Sequence, residues 1–319
     1  MVFLLPKFVK TKNKILFIDP GFPVQKQQCN ILGIETLHFD VYDYRGEKLE
    51  AKLEEYLATG EVAAMIYSSP NNPAWFSFNE IELQIIAKVA NKYDVIVLED
   101  LAYFGMDFRQ DFSKPGVAPY QPTVAKWAKK FVLMISGSKI FSYAGQRIAV
   151  MVISKDLFDM KTEYMKKYFT QDCFGRAIIF GSLYALTSGT AFSPQYALTA
   201  IFKACNDGTY NFAEPLKEYG RKAEQMKKAL VENGFKIVYD KDLDVEVADG
   251  FYFTFSYPGL TGEELLSELA YYGISAISLS VCRSTRTEGA RACVSLIPNE
   301  MIPVFAQRVK KFHEDHPIK

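Results

Sequence analysis

The sequence predicts an α/β fold: a three-layer α/β/α unit around a mostly parallel sheet, followed by a smaller α+β C-terminal domain. Three observations predict it. Short, unbroken apolar runs rich in β-branched residues recur at residues 15–18, 62–67, 95–98, 131–135 and 148–153; continuous rather than alternating apolarity suits strands buried on both faces. Amphipathic helical patterns at 24–32, 48–58 and 79–91 lie between the first three runs, which is the alternation of a parallel sheet covered by helices. The pattern then changes near residue 205, which divides the chain into 1–205 and 206–319.

Taken in order, the run at 15–18 ends in Asp19-Pro20-Gly21, a turn signal ahead of the helix at 24–32. Asn79 is placed to cap the helix at 79–91, with Glu80 and Glu82 in its first turn. Beyond the boundary, a long charged helix over 214–233 stops at Gly234. Strand-like segments follow at 236–239, 251–256, 274–279 and 292–296, with helices over 262–272 and 303–313.

Composition narrows the function. Lys and Arg total 37 against 37 Asp and Glu, so there is no basic excess for a nucleic-acid partner. Five scattered cysteines without CxxC spacing argue against a disulfide framework or a zinc site, and point to a reducing, cytoplasmic setting. His38, His313 and His316 are the only histidines, too few for a histidine metal centre or a Ser-His-Asp triad. The N-terminal apolar run stops at Pro6 and the lysines come after it, the reverse of a signal peptide, and no apolar stretch reaches membrane-spanning length.

Chemistry-bearing residues gather just after the predicted strands. Phe22 follows the first, Asn72 the second, Asp100 and Tyr103 the third, and Ser136, Ser138 and Lys139 the fourth. Ligands of open α/β sheets bind beyond the carboxyl ends of the strands, so these side chains can converge on one crevice. A lysine able to form a Schiff base, a carboxylate for a pyridinium nitrogen, an amide and a phenol for a ring oxygen, and an aromatic face together suit pyridoxal 5'-phosphate. Ser136, Ser138 and Arg147 supply donors for a phosphate.

The segments Ser69-Pro70-Asn71-Asn72-Pro73, Asp100-Leu101-Ala102-Tyr103 and Ser136-Gly137-Ser138-Lys139 through Arg147 resemble the signature of class I/II aminotransferases, which are fold-type I pyridoxal phosphate enzymes. Arg291-Ala292-Cys293-Val294-Ser295 resembles the family's C-terminal carboxylate-binding segment. The resemblance implies that Lys139 holds the cofactor and moves the substrate proton, with Asp100 on the pyridine nitrogen. It places Tyr103 and Asn72 on the ring oxygen, Phe22 on the ring face, and Ser136, Ser138 and Arg147 on the phosphate. Asn72 and Arg291 would bind substrate. It further implies amino-group transfer between an α-amino acid and a 2-oxo acid, and a homodimer.

The family has more sequence ahead of the segment matching residues 1–30, including a Gly-rich phosphate loop, so the chain is expected to be N-terminally truncated relative to the family. Trp75 stands where the family usually has Gly, Ala74 where it has Thr, and Ala144 and Ala149 replace frequent Pro and Gly. Three other readings share the residue pattern: a lyase or decarboxylase on the same scaffold, the effector domain of an aminotransferase-like transcriptional regulator, and an inactive fragment. Arg283 and Arg286 are expected to be a solvated loop.

Overall fold

The five apolar runs become five strands of a six-stranded sheet, which consists of β1 (Lys14–Asp19), β2 (Thr36–Asp40), β3 (Val62–Ser68), β4 (Ile96–Leu101), β5 (Phe131–Ser136) and β6 (Ala149–Ile153), in the order β2-β1-β3-β4-β5-β6. The computed structural model describes residues 12–318, so the run before Pro6 lies outside the described residues. The first five strands are parallel and β6 is antiparallel to β5. All seven residues of β3 are buried, as expected of a central strand covered on both faces.

β2 has no counterpart in the sequence reading. It is an edge strand with its first three residues at least partly exposed, and His38 and Asp40 interrupt the apolar run that would have marked it. The helices Pro23–Ile31, Lys48–Leu57 and Glu80–Tyr93 fall where amphipathic spacing put them. Asn79 caps the last of these: its side chain accepts from the Glu82 N–H, and the Glu82 carboxylate accepts from the Asn79 N–H. Several helical segments between Lys155 and Tyr184, and the helix Phe192–Asn206, were not read from the sequence. Their apolar residues point in every direction: Ile179, Phe180, Leu183, Tyr184, Phe192 and Tyr196 are all exposed, so no amphipathic period stands out.

The C-terminal part forms an antiparallel sheet in the order β11-β12-β10-β7, from β7 (Lys236–Ile237), β10 (Tyr252–Ser256), β11 (Ile277–Ser278) and β12 (Gly289–Cys293). A two-stranded hairpin, β8 (Lys241–Asp242) and β9 (Val245–Glu246), precedes β10. β12 starts three residues before the expected 292–296, because small Gly289 and Ala290 fit the pairing and the more apolar residues follow its end. The helices Lys217–Glu232, Gly262–Tyr271 and Met301–Asp315 carry Ala223, Leu230, Leu265, Leu269, Val309 and Phe312 into one core with Phe253 and Phe255 of β10. A second core crosses from one sheet to the other, joining Trp75 and Tyr103 to Tyr239, Phe251 and Tyr252.

The expected solvated loop at Arg283 and Arg286 is half right. Arg283 is exposed. Arg286 pairs with Asp43 at 2.8 Å and lies over the rings of Tyr42 and Tyr239, so it ties the loop to the first half of the chain.

A polar clamp also joins the halves. Buried Arg45 donates from Nε to Glu82 Oε1 at 2.6 Å and from Nη2 to Glu82 Oε2 at 2.8 Å and Asp242 Oδ1 at 3.0 Å. Asp242 Oδ2 accepts from Arg109 Nη2 at 2.6 Å. Removing one partner of such a cluster strands buried charge. Arg45→Met is therefore expected to lower the unfolding free energy by about 3–5 kcal/mol in a urea titration.

Candidate active site

The carboxyl ends of the parallel strands position the acidic part of the site. Asp100 is the penultimate residue of β4, in register with Ser68 of β3 and Met134 of β5. Its Oδ1 accepts from the Ala102 N–H at 3.0 Å and its Oδ2 from Gln25 Nε2 at 3.3 Å. Burial pushes the carboxyl up to about 6, against the pull of those two donors toward the charged form. Phe22, just ahead of the helix Pro23–Ile31, is 43% exposed and lines a cleft together with Gln25, Ser68 and Asp100.

Lys139 sits in a single helical turn, Gly137–Ile140, immediately after β5. Ser136 caps that turn by accepting from the Ser138 N–H at 3.1 Å. The chain folds back so that the Gly137 N–H donates to the Ile148 carbonyl at 3.3 Å, which keeps Ser136, Ser138 and Arg147 in one local turn. Arg147 is exposed in a left-handed conformation, φ 53°, and donates to the Ala144 carbonyl at 2.7 Å. Its guanidinium is thus engaged with its own turn.

Groups from the second sheet complete the arrangement. Arg291 on β12 donates from Nη1 to Asn72 Oδ1 at 2.9 Å, linking residues 219 positions apart. Its guanidinium lies 4.4 Å from the Tyr252 ring centroid, while its buried Nε has no partner among the described residues. The Tyr103 hydroxyl donates to the Tyr252 hydroxyl at 3.2 Å. The Tyr103 ring packs on Phe251 at 5.9 Å, and Lys139 Nζ lies 5.4 Å from that same Phe251 ring. Burial first, then Tyr252 and Asp100, push the Tyr103 phenol well above its ordinary range, and Arg291 opposes the shift.

The structure therefore brings Asn72 and Arg291 into direct contact, and Tyr103 and Lys139 onto one aromatic ring. Asp100 lies within electrostatic reach of Tyr103, and Phe22 reaches Asp100 through the shared cleft. Ser136, Ser138 and Arg147 form their own group beside Lys139. Gln25, Phe251 and Tyr252 were missed by the sequence reading. Gln25 carried a signal, since it stands one turn after Phe22 on a helix that opens at a strand end; Phe251 and Tyr252 carried none beyond their place in a predicted strand. Among the described residues, no cluster of His, Cys, Asp and Glu could hold a metal ion, and no helix is long and apolar enough to cross a membrane.

A buried carboxylate, a phenol pair, an amine, an amide and a guanidinium thus gather near the carboxyl end of a mostly parallel sheet, where ligands of open α/β sheets bind. The profile of aminotransferase class I and II matches residues 1–309, and the chain belongs to that family. It is 32% identical over 96 residues to tyrosine aminotransferase of Homo sapiens, covering 30% of this chain and 21% of that protein. It is 27% identical over 110 residues to nicotianamine aminotransferase 1 of Oryza sativa subsp. japonica, covering 34% and 21%. The match thus spans well under half the length of these relatives. Alanine aminotransferase from Pyrococcus furiosus shares the fold, with a TM-score of 0.73 and 16% identity over 98% of this chain and 73% of that one.

The raised Asp100 pKa has a consequence for stability. In the folded state the carboxyl gives up its proton near pH 6, and in the unfolded state near pH 4. The folded state thus binds the extra proton between those values, so the contribution of Asp100 to stability falls as pH rises through them and is fully lost above pH 6. Asp100→Asn is expected to stabilise the cofactor-free protein by about 1–2 kcal/mol at pH 7–8, with the gain vanishing near pH 4, as followed by thermal unfolding across pH.

Proposed function

We propose that the chain acts as a pyridoxal-phosphate-dependent aminotransferase, moving an amino group between an α-amino acid and a 2-oxo acid. The observation that carries this reading is the meeting of Asn72, Tyr103, Lys139 and Arg291 around one aromatic cluster, with Asp100 at the neighbouring strand end. We further divide the chain near residue 205, with the parallel sheet before that point and the antiparallel sheet after it.

The donor set fits the cofactor. A buried carboxylate that two neutral donors already hold toward the charged form suits a pyridinium nitrogen, and the unpartnered Arg291 Nε suits an incoming anion. When bound, pyridoxal phosphate supplies an electron-poor ring that accepts the electron pair left as the substrate Cα proton departs. The chain's own residues do the rest. Asp100 keeps a proton on the ring nitrogen. Tyr103, its O–H turned from the Tyr252 hydroxyl, and Asn72 donate to the ring oxygen, and Phe22 covers the ring face. Ser136, Ser138 and Arg147 hold the phosphate, for which Arg147 turns from its Ala144 carbonyl. Arg291 pairs with the substrate carboxylate. The Lys139 amine holds the cofactor between turnovers and carries the substrate Cα proton.

Added pyridoxal phosphate is expected to develop an absorbance band with the protein that Lys139→Ala lacks, and an amino-acid donor should discharge that band while releasing its 2-oxo acid. A band that no donor discharges rules transamination out, and pyruvate with ammonia from a cysteine-type donor makes the protein a lyase instead. Arg291→Ala should raise KM for the amino acid by roughly 10–100-fold with kcat less affected, since it removes a charge-assisted contact made in ground and transition states alike.

A further inference from the structure

The geometry points to Trp75 as a positioning residue for Tyr103, acting as a wedge between the loop after β3 and the start of β10. This rests on the assignment of Tyr103 to the cofactor site. Trp75 is 1% exposed, although it belongs to a loop. Its ring meets Tyr103 edge-on at 5.3 Å and Tyr252 edge-on at 6.0 Å, so it backs both members of the phenol pair. Its indole N–H is buried with no acceptor among the described residues, so hydrogen bonding does not explain its place. The backbone opposes it too: Trp75 holds φ 66°, a left-handed conformation that favours glycine and penalises a bulky residue. A large side chain kept there against both costs is held by what its ring packs on.

Gly250 shows the fit from the other side. A Cβ on Gly250 would overlap the Trp75 indole at Nε1, Cε2 and Cζ2, so the turn before β10 accepts the ring only because it lacks a side chain. The loop itself does not depend on the ring. Asn71 organises it: its carbonyl accepts from the Trp75 N–H at 3.0 Å, its Oδ1 from the Ala74 N–H at 3.0 Å, and its Nδ2 donates to the Pro20 carbonyl at 2.9 Å. Trimming the indole therefore leaves the loop tethered and the backbone relaxed, while the face of Tyr103 that the ring covers opens. Water there would lower the phenol's pKa toward its ordinary value, because burial is its largest cause of elevation.

Two measurements on cofactor-free protein test this. The alkaline titration step that Tyr103→Phe deletes is expected to move to lower pH in Trp75→Gly and to stay in place in the conservative Trp75→Phe. Gly250→Ala is expected to lower Tm in the wild type and to cost much less in the Trp75→Gly background, where the methyl has room. On the loaded enzyme, Trp75→Gly should lower kcat by about tenfold with little change in KM, and Trp75→Phe should restore most of it. A Tyr103 step unmoved in Trp75→Gly, or a Gly250→Ala cost equal in both backgrounds, overturns the inference. Failure of the wild type to take up pyridoxal phosphate would instead sink the proposed function, and the cofactor-free measurements would still decide the role of Trp75.

Discussion

Everything at the site hangs on a cluster of aromatic rings packed across the seam between the two sheets. Trp75 and Tyr103 come from loops of the parallel sheet, Phe251 and Tyr252 from the residue before β10 and its first residue, and neighbouring ring centroids lie 4.9–6.0 Å apart. Edge-to-face packing at that spacing is directional, so it fixes orientation as well as proximity. Each polar group is then referred to the cluster. Lys139 lies over Phe251, Arg291 over Tyr252, and the Tyr103 hydroxyl meets that of Tyr252. A shift of one sheet against the other would move the amine and the guanidinium apart together. The Arg45–Glu82–Asp242 clamp restrains the same seam from a second point.

The electrostatics follow from this packing. Burial excludes water, so ionisable groups here are raised in pKa or left without a hydrogen-bond partner: Asp100 sits near 6, the Tyr103 phenol well above its normal range, and one Arg291 nitrogen has no partner among the described residues. Those features cost stability in the free protein, and each is of the kind that a charged, planar ligand would repay.

Much of this was legible in the chain. The central strands announced themselves as β-branched runs, and looking just past strand ends singled out Asn72, Asp100, Tyr103 and Lys139, which the structure does place at or just after the ends of β3, β4 and β5. Arg291 could not; it emerged only through its likeness to a family segment, since nothing local distinguishes it from a surface arginine. β2 was hidden by His38 and Asp40, and the helices between residues 155 and 206 by apolar residues on all sides. Phe251 and Tyr252 were hidden for another reason: Phe251 and every residue of β10 are buried, so no alternation told which side chains face the seam. Trp75 stood out as a departure from the family pattern, but its meaning needed Gly250, which lies 175 positions away in the chain.

The account stands or falls on Lys139 being the amine that meets the cofactor aldehyde. Reduction of the protein with borohydride in the presence of pyridoxal phosphate, followed by peptide mapping by mass spectrometry, reads that directly. One pyridoxyl group on the peptide carrying Lys139, formed at stoichiometric cofactor, is the expected result. Labelling spread over surface lysines, or concentrated on another buried amine such as Lys26, would contradict it.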